Sequence, residues 1–222
     1  MSDLLTKREA ARLKLRARYL EARALNGPRV GSPTAKVPVG QVETKKWPVL
    51  DLGMQPDIGK EDWRLRVDGA VAKPKIFNWS DFMGLDQVQD VSDFHCVTTW
   101  SKLDMSWVGV PFWRVVEAVQ PKPNAQYVRC FGYDGYTTNL SLQAAMEPDV
   151  LLVHTYDDAP LTREHGGPCR MITPKLYAWK GTKWIQRIEF LEQEKLGYWE
   201  VRGYSNTADP WKDDRYSDGP VD

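Results

Sequence analysis

An α+β fold of mixed sheets, short helices and long loops is what this 222-residue chain predicts. Three observations predict it. Short β-like runs recur along most of the chain without the regular strand–helix alternation of a parallel α/β sheet. The helical stretches between them are short and are separated by loops bearing Gly and Pro. Ten Trp, nine Tyr and six Phe in a chain with no net formal charge place aromatic rings in a core or a pocket beneath a polar surface.

The elements follow in order. Thr6-Lys7-Arg8-Glu9 has capping-box form and opens an amphipathic helix. Leu13, Ala17, Leu20 and Ala24 then share one face until Asn26-Gly27-Pro28 stops it. Residues 27–45, rich in Gly, Pro and small polar side chains, read as an extended strap. The expected division is therefore residues 1–46, helix and strap, and residues 47–222, one body. In the body, strands are expected at 63–69, 125–131, 150–154 and 184–191, and short helices at 79–83, 113–119 and 142–146.

Net neutrality hides an asymmetry. Residues 1–36 hold nine Lys or Arg against three acids, a balance of +6 that the rest of the chain offsets with −6. Positive charge confined to one terminal element argues against sequence-specific nucleic-acid binding, so no nucleic-acid partner is expected. No run approaches the roughly 20 apolar residues of a membrane span. Neither a signal-peptide core nor a twin-arginine pair follows the first residues, so the expected location is the cytoplasm. Three cysteines, Cys96, Cys130 and Cys169, cannot all pair within one chain, which fits a reducing compartment and leaves at least one thiol free or a ligand.

Three segments carry chemistry. In Asp93-Phe94-His95-Cys96-Val97-Thr98-Thr99-Trp100-Ser101 the cysteine can be a nucleophile, a buried small hydrophobe or a thiolate ligand to a soft metal. In His165-Gly166-Gly167-Pro168-Cys169-Arg170 the glycines suit close approach to a ligand and Arg170 offers a fork for phosphate or carboxylate; a tight turn with a surface arginine is the alternative. In Lys180-Gly181-Thr182-Lys183 a small Gly-Thr pair between lysines has the character of a phosphate cradle, although lysines flanking a turn are often only solvated. Together the last two segments point to an anion pocket.

Cys-Val-Thr-Thr-Trp-Ser, His-Gly-Gly-Pro-Cys-Arg and Trp-Lys-Gly-Thr-Lys-Trp-Ile, in this order and at these separations, resemble the molybdopterin-binding domain of the sulfite oxidase family, closest to its small stand-alone bacterial members. The resemblance runs from about Trp47 to Asp209-Pro210-Trp211. It implies the sulfite-oxidase-type molybdopterin-binding fold and a molybdenum–molybdopterin cofactor with Cys96 as the metal's thiolate ligand. It implies that His165, Arg170, Gly181, Thr182 and Lys183 hold the pterin and its phosphate. Asp134 falls where the family has a cofactor-contacting acid, and Asp134-Gly135 also reads as a hairpin turn. Leu50 and Asp51 fall in the segment that wraps the pterin. Sulfite oxidases carry an arginine at the Leu50 position to bind the sulfite anion, and a leucine supplies no such charge.

The expected activity is therefore oxygen-atom transfer on a small substrate, with sulfite itself disfavoured, using a separate electron-transfer partner. Cys96 is the expected catalytic ligand, and His95 is a candidate proton shuttle or loop-orienting residue. A cofactor-carrying module without turnover and a cysteine-dependent hydrolase or transferase are the alternatives.

Overall fold

The computed structural model describes residues 2–26 and 35–217. The first helix, α1 (Ser2–Asn26), begins before the expected Thr6 cap and runs to the expected Asn26. Gly27-Pro28 and the first part of the strap lie outside the described residues. The stripe that α1 turns inward is Arg16, Tyr19, Leu20 and Arg23; Leu13, Ala17 and Ala24 are exposed, so only Leu20 is shared with the expected apolar face. The surface that α1 meets explains the difference. Arg16 Nε donates to the Gly203 carbonyl at 3.0 Å, and its terminal nitrogen donates to the Ser217 carbonyl at 2.8 Å. Tyr19 packs edge-on to Tyr216 at 5.2 Å and donates its hydroxyl to the Asp213 carbonyl. An aromatic, polar landing site selects long amphipathic side chains over leucines.

The described strands form two mixed sheets. One holds β1 (Val42–Glu43), β4 (Val88–Cys96), β5 (Trp100–Pro111), β8 (Leu151–Tyr156), β9 (Ala159–Pro160) and β10 (Arg170–Ile172). The long β5 is its spine, antiparallel to β4 and β8 and parallel to β1. The other sheet has the order β3 (Lys75–Asn78), β2 (Arg64–Gly69), β11 (Ile185–Leu191), β6 (Tyr127–Gly132), β7 (Thr137–Ser141). Its β2–β11 pair is parallel and its other pairs are antiparallel.

Both faces of the first sheet are covered at β8. Along β8, Leu152 joins the main core with Leu65, Val67, Val128 and Ile188 of the second sheet, while Leu151 and Val153 join Met105, Trp107 and Ile172 on the other side. Successive strand residues face opposite ways, so a continuous apolar run such as Leu151-Leu152-Val153 signals burial on both faces. Helix α2 (Trp79–Met83) starts from an Asn78–Asp81 capping box and buries Phe82. Helix α3 (Phe112–Val119) buries Phe112, Val115 and Val119, an i, i+3, i+7 stripe. Helix α4 (Leu142–Ala145) caps the second sheet beside β7. A third cluster, Tyr136, Tyr177, Trp179, Trp199, Tyr204 and Tyr216, joins the chain after β11 to the body.

Candidate cofactor-binding site

The site is built on the β4–β5 hairpin, paired Phe94 to Lys102, His95 to Ser101 and Cys96 to Trp100. Its turn is closed by the Thr99 N–H donating to the Cys96 carbonyl at 3.1 Å, with Thr99 in the left-handed region at φ 75°. Strand alternation separates the two neighbours that the sequence couples. Cys96 faces a cleft, its Sγ 3.1 Å from the Thr98 hydroxyl. His95 points away, buried, with Nδ1 2.8 Å from the Ser101 hydroxyl and its ring edge-on to Trp211. Burial lowers its pKa, against a smaller raising effect from Asp93. A Cys96–His95 dyad is thus not formed.

The cleft encloses about 820 Å³, counting the part open to solvent. Trp47, Phe94, Trp100, Trp179, Trp199 and Tyr204 contribute its aromatic walls. Leu50, Asp51, Cys96, Asp134, His165, Arg170, Gly181 and Lys183, from five separated stretches of chain, all reach it. Thr182 does not line it; this residue is fully buried and its hydroxyl has no hydrogen-bond partner. The walls were invisible in the sequence residue by residue, the richness in Trp and Tyr being their only signal.

A single 3-10 turn at Arg163–His165 ends on Gly166 at φ 104°, after which β10 begins with Arg170. Arg170 is not a surface residue: it is 4% exposed. One terminal nitrogen donates to the His165 carbonyl at 3.0 Å, and its Nε has no partner. The guanidinium lies over Phe94 and Trp47, 5.3 and 5.6 Å from their centroids. Burial pulls its pKa down to about 10, which leaves it charged at neutral pH. Lys183 donates to the Glu164 carbonyl at 2.7 Å, and burial followed by the charge of Arg170 lowers its pKa to about 8. Burial, then Arg170 and Lys183, bring His165 down to about 4. At neutral pH the cleft therefore presents two cations and a neutral imidazole.

The acids serve the backbone as well as the cleft. Asp134 accepts from the Tyr136 N–H at 3.1 Å in the β6–β7 turn and also lines the cleft. Burial raises its pKa. Asp51 accepts from the Gly53 N–H and from Gln55 Nε2, both at 2.8 Å. The glycines have packing reasons. A Cβ at Gly166 would sit 2.9 Å from Lys183 Cβ, and one at Gly181 would sit 2.6 Å from the Met171 carbonyl oxygen.

The two lysines of the cradle motif part company. Lys183 faces the cleft. Lys180 is buried on the other side, paired with Glu200 at 2.8 Å and donating to the Asn139 carbonyl at 2.9 Å. Glu200 also accepts from Trp179 Nε1 and the Thr138 hydroxyl, both at 3.0 Å, so this network braces the Trp179 wall.

This donor set fits an anionic cofactor bound to a soft metal. Cys96 supplies a sulfur donor. Arg170 keeps a buried, unused N–H beside the cleft, and Lys183 adds an ammonium.

The comparisons agree with the geometry. The sequence profile of the oxidoreductase molybdopterin binding domain matches residues 52–199, and the chain belongs to that family: it is a molybdopterin-binding oxidoreductase whose cofactor is the molybdenum cofactor. It is 36% identical over 192 residues to an uncharacterized oxidoreductase (YuiH) of Bacillus subtilis, covering 85% of this chain and 96% of that protein. It is 27% identical over 155 residues to the protein-methionine-sulfoxide reductase catalytic subunit MsrP of Ralstonia nicotianae, covering 63% of this chain and 46% of that protein. The sulfane dehydrogenase SoxCD from Paracoccus pantotrophus superposes with a TM-score of 0.62 at 19% identity, over 75% of this chain and 51% of that one. This chain thus spans about half the length of the last two. The fold is the α+β, sulfite-oxidase-type molybdopterin-binding fold expected from the three motifs. No described helix is long and apolar enough to cross a membrane.

Proposed function

We propose that this oxidoreductase transfers an oxygen atom to or from a small neutral substrate at the Cys96 end of the cleft. The observation that carries the reading is the meeting, in one aromatic-walled cleft, of the Cys96 thiol with Arg170 and Lys183. Cys96 is the metal ligand; Arg170 and Lys183 bind the cofactor's phosphate, with the Gly181–Thr182 backbone and neutral His165 beside them. Asp51 and Asp134 are acceptors for the pterin's N–H groups. The bound cofactor supplies the two-electron oxygen-atom chemistry, and the protein orients it and excludes water. Trp47, stacked on His165, and Phe94, under Arg170, do the excluding.

Leu50 selects the substrate. It lines the cleft and is 42% exposed. An apolar side chain in the cleft wall, in place of a cation, disfavours sulfite and suits a neutral sulfoxide or N-oxide. The name of the Ralstonia relative, a protein-methionine-sulfoxide reductase, supports this class. That relative is called a catalytic subunit, which supports a separate protein as electron partner here. The three cysteines, none in a disulfide, support a reducing compartment, the cytoplasm; fractionation of the producing cell tests that.

Metal and pterin analysis of the purified protein, followed by a reductant-driven screen of sulfoxides, N-oxides and nitrate, tests the function. Stoichiometric molybdenum and turnover lost in Cys96→Ser are expected. Metal-free protein with thiol-dependent hydrolytic activity would overturn the reading, as would full redox activity in Cys96→Ser; a loaded protein that turns over nothing in the screen, unmodified or as Cys96→Ser, would leave a cofactor-carrying module.

A further inference from the structure

We propose that Gln41 and Arg215, which lie outside the family-matched stretch 52–199 at its two ends, are positioning residues for the Cys96 thiol. The inference rests on the reading of Cys96 as the metal ligand. Cys96 sits at the tip of a hairpin, and its direction depends on the peptide planes at Cys96 and Val97. Both planes are held by partners distant in sequence. Gln41 Nε2 donates to the Cys96 carbonyl at 3.2 Å, taking the lone pair that the Thr99 N–H leaves. Gln41 itself is held: its Oε1 accepts from the Ser101 hydroxyl at 3.4 Å, and β1 beside it pairs with β5 at Trp100 and Ser101.

Arg215 grips the next carbonyl. One terminal nitrogen donates to the Val97 carbonyl, the other to the Gly40 carbonyl at 3.4 Å, and Nε donates to Asp213 at 2.7 Å. Its guanidinium lies 5.0 Å from the Tyr177 ring centroid. One planar fork thus ties the cysteine hairpin, the strap and the C-terminal segment together. Lysine, with a single nitrogen, cannot serve these diverging acceptors at once. Arg215 is 2% exposed and Gln41 8%, so water does not replace either contact. Helix α1 closes the arrangement from outside, since Tyr19 donates to the carbonyl of Asp213.

The test uses the full-length holoenzyme carrying Arg215→Lys or Gln41→Leu, with Arg187→Lys as control. Arg187 makes a comparable ionic contact with Asp68 on the second sheet, away from the cleft. The measurements are thermal midpoint, molybdenum content, the thiolate-to-molybdenum charge-transfer absorption, and the rate at which iodoacetamide alkylates Cys96, read by mass spectrometry. Cys130 and Cys169 are fully buried and do not compete. The two variants are expected to stay folded and loaded, to shift the absorption band, and to lose protection of Cys96 by about 10- to 100-fold. The control is expected to match the unmodified enzyme. Unchanged absorption and alkylation in folded, loaded variants would overturn the proposal. Loss of the fold in both variants would overturn it too, because the contacts would then be structural only. Molybdenum missing from the unmodified protein would instead remove the functional reading beneath it.

Discussion

His165 lies flat on Trp47, the ring centroids 3.7 Å apart and the planes within 3° of parallel. The indole shields one face of an imidazole that already has Arg170 and Lys183 as neighbours, so protonating it would add a third positive charge to a closed space. Its pKa in the folded protein is about 4, below the ordinary 6.5. Between those values the unfolded chain binds the extra proton, so this residue's contribution to stability is present above pH 6.5 and lost as pH falls toward 4. Thermal unfolding of the cofactor-free protein should show a midpoint that declines over that range, less steeply in His165→Gln. Parallel curves for the two proteins would refute the assignment.

Lys183 titrates at the other end of the scale. With a pKa of about 8 it is charged at neutral pH and loses its charge above pH 8, taking one of two cations from the proposed phosphate-binding part of the cleft. Molybdenum retained after dialysis should fall between pH 7 and pH 9 in the unmodified protein, and Lys183→Arg should hold it across the range. Lys183→Met should weaken retention at every pH by about 10- to 100-fold, the equivalent of one charge-assisted hydrogen bond.

The glycines at 166 and 181 differ in what a methyl group would meet. Gly166→Ala forces a left-handed residue, roughly 1–2 kcal/mol, and pushes on the side chains of Lys183 and Arg170. A midpoint lower by about 2–8 °C, together with weaker cofactor retention, is expected from calorimetry. Gly181→Ala meets the Met171 backbone carbonyl, which cannot swing aside, and should be the more damaging of the two.

Lys180 and Glu200 form a buried pair behind the Trp179 wall. Lys180→Met strips Glu200 of its cation and should cost about 3–5 kcal/mol in denaturant unfolding. Lys180→Met combined with Glu200→Gln should recover part of that loss, because no unpaired charge remains. Additive single effects would mean that the two side chains are not coupled.

Leu50 carries the prediction about substrate. Sulfite oxidation by the unmodified enzyme should be slow or need a very high KM, and Leu50→Arg should improve kcat/KM for sulfite while reducing turnover of a neutral sulfoxide. Efficient sulfite turnover without the substitution would remove the argument.

Much of this was legible locally. Helices at 79–83 and near 112–119 and 142–145, and strands at 64–69, 127–132, 151–156 and 185–191, follow from apolar runs and capping residues that declare themselves within a few positions. The hairpin that carries Cys96 did not declare itself. Strand β4 interleaves Asp90, Ser92 and Asp93 with apolar residues, is only partly buried along most of its length, and slips register between Ser92 and Phe94, which blurs the alternation that marks a strand.

What the sequence determined by itself is the set of chemical groups: a soft thiol, a guanidinium and an ammonium in three ordered motifs, and the family those motifs define. These are properties of single residues and short spacings. Tertiary structure alone decided which of them share a space. Strand alternation sent His95 away from the cleft that Cys96 enters, and one lysine of the cradle faces it while the other, Lys180, braces a wall from behind. Gln41 and Arg215 reached the cysteine hairpin from the two ends of the chain. Side-chain direction depends on register, and register depends on pairings between segments far apart in sequence, so no local pattern encodes it.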